Sequence, residues 1–433
     1  MKIYTYPTKE AHRRVQQIAG RDLGFKKKDF LAVTRILDDV KRNGDAAVVR
    51  YARKFDAPKI TAKAFKATAS EIAAAAKLVD RSFVRSLNKA VRQIESFHRQ
   101  QLPKSWMDTR RDGTLLGQVV HPVEVAGVYV PGAKGGTTPL VSSVLMGATP
   151  ARIAGVEQIV MTTPSRKDGS IDPHLLVAAK KVGIDAVYKI GSAWAIGALA
   201  YGTRTIPRAD VIVGPGNLYV TLAKKIVSGT VGIDMIAGPS EILIIADDTA
   251  DPVHIAADML SQAEHDVMAS SVLLTTSKEI AKATARQVER QLAQLTRQEI
   301  ARASIQRFGT IVVVPDIQTA IDIANDFAPE HLELIVAEPF NLVGNLKNAG
   351  AIFVGPYTPE PVGDYIAGPN HVLPTAGTAR FSSALSVETF LKKTSLIHYS
   401  RDAFQKDAAD IIRLAGIEGL DAHANAIRVR QKK

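Results

Sequence analysis

The chain has 433 residues, 46% of them hydrophobic and 23% charged, with 30 glycines and 21 prolines, the composition of a soluble globular protein with two or three cores. Its formal net charge is +12, but lysine and arginine are scattered. The densest cluster is FKKKDF at 25–30, and there is no basic stripe with interleaved aromatics and no zinc-finger spacing, so nucleic acid is not the expected partner. Cysteine is absent, which excludes disulfides, thiolate metal sites and cysteine nucleophiles; any metal must take N and O ligands.

The amino terminus, MKIYTYPTKEAHRRVQQ, lacks the apolar core of a secretory signal, and no apolar run approaches the roughly 18 residues of a membrane span. A cytoplasmic protein without membrane contact is therefore expected. Residues 27–55 and 69–102 carry apolar residues at helical spacing around a break at 56–69, and 117–132 (GQVVHPVEVAGVYVPG) turns extended and β-branched. Short apolar runs then alternate with helical patterns: EQIVMTTP, DAVYKIG and ADVIVGPG first, with helices around 140–155, 174–183, 193–202 and 217–228. A second series follows with EILIIAD, SVLLTTS, GTIVVVPD, LELIVAEP and AGAIFVGP. Two sets of β-α alternation imply two parallel sheets flanked by helices, and the tail beyond about 380 reads helical.

Several segments carry residues suited to chemistry. In ADVIVGPGNLYVTLAKK (209–225) a strand and a Gly-Pro-Gly-Asn turn precede a helix whose first N–H groups could receive a phosphate, but Tyr219 replaces the third glycine of a dinucleotide fingerprint. AGPSEILIIADDTA (237–250) sets Ser240 and Glu241 in a turn before a buried strand. DPVHIAADMLSQAEHDVM (251–268) reads as a helix capped by Asp251, with Asp258, Gln262 and His265 at i, i+4 and i+7; Gln262 and His265 could share a metal or simply face solvent. NDFAPEHLEL (325–334) places Glu330 beside His331, with Pro329 in the position of a helix start. The Gly/Pro-rich loop 355–381 holds Asp364 and His371, and 417–430 holds Glu418 and His423 on an amphipathic terminal helix.

These motifs, in this order, resemble the histidinol dehydrogenase family over roughly residues 23–430. The resemblance implies two incomplete Rossmann-like domains: an arm at 1–22, an α/β domain of 23–127 plus 238–380, an NAD-associated α/β domain at 128–237, and a helical tail at 381–433 used in dimerisation. It implies one Zn2+ per subunit on Gln262, His265, Asp364 and His423, the last from the other subunit of a homodimer with shared sites. It further implies substrate contacts from Ser240, Gln262, His265, His331, Asp364, His371, Glu418 and His423, NAD+ contacts at Tyr129 and Asn217, and catalysis by Glu330 and His331. The expected reaction oxidises L-histidinol through L-histidinal to L-histidine with two NAD+. Trp194, in GSAWAI, departs from the family, which has Gln at that position near the cofactor; the alternative it favours is a paralogous zinc- and NAD-dependent dehydrogenase of another hydroxy compound.

Overall fold

The computed structural model describes residues 1–21, 24–133 and 138–431. The second series of apolar runs pairs into a six-stranded parallel sheet in the order Ile3–Thr5, Thr310–Val313, Ser270–Thr275, Glu241–Ala246, His331–Ile335, Ala351–Val354. Glu241–Ala246 and Ser270–Thr275 are buried at every residue, so they read in sequence as continuous apolar runs without alternation. Residues 3–5, expected to belong to a separate arm, form the edge strand against Thr310–Val313, and the helix Lys9–Ala19 follows them. Three residues are too few to show a period, which is why the sequence hides this strand.

The first series forms a five-stranded parallel sheet, ordered Gly232–Ile233, Val211–Val213, Val125–Tyr129, Gln158–Thr162, Ala186–Tyr188. From its edge at Ala186–Tyr188 the chain returns through helix Ser192–Tyr201 to Val211–Val213, on the other side of Val125–Tyr129. The strand order therefore reverses between Val125–Tyr129 and Val211–Val213, the place where open α/β sheets take ligands. Helices Lys27–Asn43 and Asp45–Phe55 bury Val33, Leu37, Val40, Ala47 and Val48 in the core of this smaller sheet. Gly197 lets helix Lys27–Asn43 pack closely: a Cβ there would lie 3.1 Å from the Leu37 side chain.

Residues Leu102–Pro122 together with Leu391–Lys433 make a second compact unit, separate from the unit holding both parallel sheets. It contains an antiparallel sheet, Leu391–His398, Leu115–Pro122, Trp106–Thr109, and helices Arg401–Ile417 and Asp421–Gln431. The tail is thus not wholly helical. Leu391–His398 is almost entirely exposed, so it carries no buried face for the sequence pattern to register. Among the described residues no helix is long and apolar enough to cross a membrane.

Candidate active site

The Glu330–His331 pair lies between a helix and a strand, not at a helix start. Helix Ile317–Phe327 ends at Ala328 in the left-handed region (φ 51°, ψ 62°), and His331 opens the strand His331–Ile335. Pro329 therefore closes off the preceding helix, since a residue before proline avoids the α region and the following apolar run pairs into the sheet. Both side chains are buried and both bind one residue on the neighbouring strand. Glu330 Oε2 accepts the N–H of Glu241 at 2.9 Å, and His331 Nδ1 lies 2.8 Å from the Glu241 carbonyl oxygen. A carbonyl only accepts, so Nδ1 carries the proton and Nε2 keeps its lone pair. Burial pushes the His331 pKa down and the Glu330 pKa well above 4.5, the latter helped by the charges of Glu241, Asp364 and Glu360.

Asp251 caps helix Pro252–Ala263 by accepting the Val253 N–H, as expected, but the helix stops at Ala263. His265 follows the helix end and is exposed, so the three-residue helical face read from the spacing is not formed. Gln262 is fully buried, and neither its Oε1 nor its Nε2 has a hydrogen-bond partner among the described residues. Asp364 sits in a wide helical turn, Gly363–Ala367, packed so closely that a Cβ on Gly363 would fall 2.7 Å from the Phe353 ring. Its carboxylate lies 3.8 Å from His371 Nδ1. Asn370, which donates to the Met146 carbonyl at 2.8 Å and accepts the Val372 N–H, fixes the loop that presents His371. Burial and then the nearby Glu360 charge push Asp364 up to about 8; burial, reinforced by His331, pushes His371 down to about 4.

Glu360 was not singled out from the sequence. It is buried, accepts the Ser261 hydroxyl at 3.0 Å, and donates its own N–H to Glu333 Oε1 at 3.0 Å. His331, Glu360 and Asp364 each offer one ligand atom, all within 4.8 Å of one another. Its position four residues before Asp364, between two prolines, was the one available signal.

A cavity of about 290 Å3 gathers Ser240, Gln262, His265, Glu330, His331, Glu360, Asp364 and His371 on one wall and Pro131, Pro215 and Gly216 on another. The first wall stands at the amino ends of the larger sheet's strands; the second follows the carboxyl ends of Val125–Tyr129 and Val211–Val213, at the switch point of the smaller sheet. Gly214 makes that second wall possible: its φ is +115° and a Cβ would lie 2.1 Å from the Tyr129 carbonyl oxygen. The buried Lys224 and Asp234 pair there, Lys224 Nζ donating to the Gly214 oxygen at 2.9 Å and Asp234 accepting the Gly214 N–H at 2.8 Å. Tyr129 ends its strand buried, its hydroxyl accepting the Ser192 N–H at 3.1 Å; Asn217 is exposed and caps helix Leu218–Val227. Trp194 is buried with its indole stacked on Tyr51 and Phe55. Glu418 and His423 belong to the second unit and are exposed, and every cavity residue comes from the first unit.

The donor set suits a metal bound through N and O atoms: an amide with both polar atoms buried and unpartnered, three imidazoles and three carboxylates line one cavity. Gln262, His265 and Asp364 fit that role, and His331, with Nδ1 committed to Glu241, has only Nε2 to offer.

The model of the histidinol dehydrogenase family matches residues 25–431. A histidinol dehydrogenase from Desulfotalea psychrophila is 61% identical over 401 residues, covering 93% of this chain and 92% of that protein. One from Heliobacterium mobile is 49% identical over 433 residues and covers 100% of both. A crystal structure of histidinol dehydrogenase from Elizabethkingia anophelis superposes with a TM-score of 0.93 at 38% identity, over 100% of this chain and 98% of that one. The chain belongs to the histidinol dehydrogenase family.

Proposed function

We propose that this chain oxidises L-histidinol through L-histidinal to L-histidine, the last steps of histidine biosynthesis. The observation that carries this reading is a single cavity holding a buried Glu330–His331 pair, the unpartnered amide of Gln262, and the cofactor-type switch point of the smaller sheet. Zinc, held by Gln262, His265, Asp364 and His423 of a partner subunit, would supply a fixed Lewis-acid template for the substrate nitrogens. NAD+, held near Tyr129 and Asn217, would supply the hydride acceptor.

His331 Nε2 takes the hydroxyl proton as the hydride leaves the adjacent carbon. Depression of its pKa by burial keeps the imidazole neutral and ready to accept. The aldehyde so formed adds water, and Glu330 takes a proton from that water as the new C–O bond forms. The hydrated aldehyde then loses a second hydride to a second NAD+ and its hydroxyl proton to His331. One alcohol, one water and two NAD+ give one carboxylate, two NADH and three protons. No thioester step is available to a chain without cysteine.

A homodimer with shared sites completes the reading. Met107, Ile397, Leu414 and Ile417 of the second unit are all at least 60% exposed, the apolar surface that a second copy would cover. His423→Ala and His331→Asn proteins, each inactive, should regain activity when mixed. The primary test follows NADH formation on L-histidinol with and without chelator: two equivalents per histidinol, lost on chelation, are expected. No turnover of histidinol alongside turnover of another alcohol would overturn the assignment.

A further inference from the structure

One residue holds both members of the Glu330–His331 pair, and it does so with its main chain. In an extended strand the N–H and C=O of one residue point toward the same neighbour. The ladder between Glu241–Ala246 and His331–Ile335 begins at Ile242 opposite His331, so the edge of Glu241 facing that neighbour lies beyond the last main-chain pairing. Side chains fill the gap: Glu330 accepts from the Glu241 N–H and the His331 ring donates to the Glu241 carbonyl. Small rotations of the two peptide units that meet at the Glu241 Cα would move the carboxylate and the imidazole together and release the tautomer that leaves Nε2 free.

The Glu241 side chain is fixed in turn. Its Oε1 accepts from Arg21 Nη2 at 2.8 Å and its Oε2 from the Ala376 N–H at 3.2 Å, and both charged side chains are buried. Arg21 is itself tied down: Nη1 donates to the Met268 carbonyl at 2.7 Å, Nε to the Ile18 carbonyl at 3.1 Å, and the guanidinium lies 5.0 Å from the Phe308 ring centre. A planar guanidinium can satisfy these directions at once, which an ammonium cannot. We propose that Arg21, through its buried pair with Glu241, is the positioning residue that sets the orientation of Glu330 and the tautomer of His331. The proposal rests on the proposed function for its kinetic consequence, and on the hydrogen-bond geometry alone for its effect on the ring.

The test uses the full-length zinc-loaded protein and compares Arg21→Met, Arg21→Lys and the double variant Arg21→Met/Glu241→Gln, which removes the buried charge left unpaired by the single change. Arg21→Met should lower kcat on histidinol about 10- to 100-fold, as misplacing a catalytic group does, while KM for histidinol and zinc content stay within about twofold. Arg21→Lys and the double variant should each recover part of kcat and remain measurable if Arg21→Met does not fold. Separately, 15N spectra of histidine-labelled protein, with His331 assigned by its loss in His331→Asn, should show a protonated Nδ1 in the wild type and mixed tautomers in the Arg21 variants. An unchanged kcat per zinc-loaded site, or a kcat loss that only tracks zinc loss, overturns the proposal, as does a tautomer that does not respond. A wild type inactive on histidinol whose tautomer still responds to Arg21 would overturn the reaction assignment and leave the positioning role standing.

Discussion

Replacing Glu330 by Gln separates the two oxidations. The amide oxygen of Gln can still accept the Glu241 N–H that Glu330 Oε2 takes at 2.9 Å, and the His331 contact with the Glu241 carbonyl is untouched, so the local backbone stays in place. What disappears is the ability to take a proton from water. General-base assistance contributes about 10²- to 10⁴-fold, or roughly 2.7–5.4 kcal/mol of barrier at 1.36 kcal/mol per decade. That loss should fall on histidinal as substrate, with oxidation of histidinol to histidinal reduced less than about tenfold. The stability of the zinc-free protein gives a second reading. Burial holds the Glu330 carboxyl well above 4.5, so the folded protein holds that proton more tightly than the unfolded chain does; the stability this adds is complete below the unfolded value and is lost as pH rises through the folded one. The Tm of chelated wild type should therefore fall more between about pH 5 and pH 8 than that of Glu330→Gln. Stopped-flow NADH formation from each substrate, with calorimetry across pH, makes the measurement. Equal losses on histidinol and histidinal would refute the division of labour.

Three further outcomes follow from the same geometry. His331→Asn keeps a donor for the Glu241 carbonyl but has no base at the Nε2 position, so kcat should drop about 10²- to 10⁴-fold on both substrates with Tm little changed; a loss below tenfold would exclude His331 as the base. Gln262→Leu removes two buried unpartnered polar atoms, so the chelated variant should be more stable than chelated wild type by about 1–3 kcal/mol, as read by denaturant unfolding, while zinc no longer binds; retained zinc would remove Gln262 from the ligand set. Chelation of the wild type should likewise abolish activity and leave the far-UV circular dichroism intact. Gly214→Ala must place a Cβ 2.1 Å from a backbone oxygen at φ +115°, so KM for NAD+ should rise at least about tenfold and stability fall about 2–4 kcal/mol; normal values of both would mean the second cavity wall is not the cofactor's.

Most strands of the two parallel sheets are legible because burial on two faces favours unbroken apolar runs: IVM, ILIIA and VLL announce themselves. Pro329 reads as a helix start because proline followed by Glu satisfies the local rule for a helix beginning, whereas pairing of Leu332–Leu334 with Leu243–Ile245, 89 residues away, decides the outcome. His265 was assigned to a helix one turn too long for the same reason: spacing alone does not reveal where a helix end is traded for a turn. Glu360 is not marked by the sequence, and Glu241 is marked only as a turn residue, for a different reason. Glu360 reaches the cavity only when its loop folds back so that its N–H meets Glu333, and Glu241 acts through peptide groups that every residue possesses. The chemistry-bearing side chains were named by resemblance; the hydrogen bonds that orient them required the fold.

The chain's two tryptophans fall one to each unit: Trp106 is half exposed on the antiparallel sheet, and Trp194 is buried against Tyr51 and Phe55 beside the smaller parallel sheet. The protein thus carries two optical reporters in different surroundings, a solvated indole emitting at longer wavelength and a shielded one emitting at shorter. Following both bands during denaturant titration would resolve whether the units melt together or in turn. Under the proposed placement of NAD+ at the switch point of the smaller sheet, Trp194 would be an energy donor to reduced nicotinamide, and NADH binding should then be readable in its quenching without any added label.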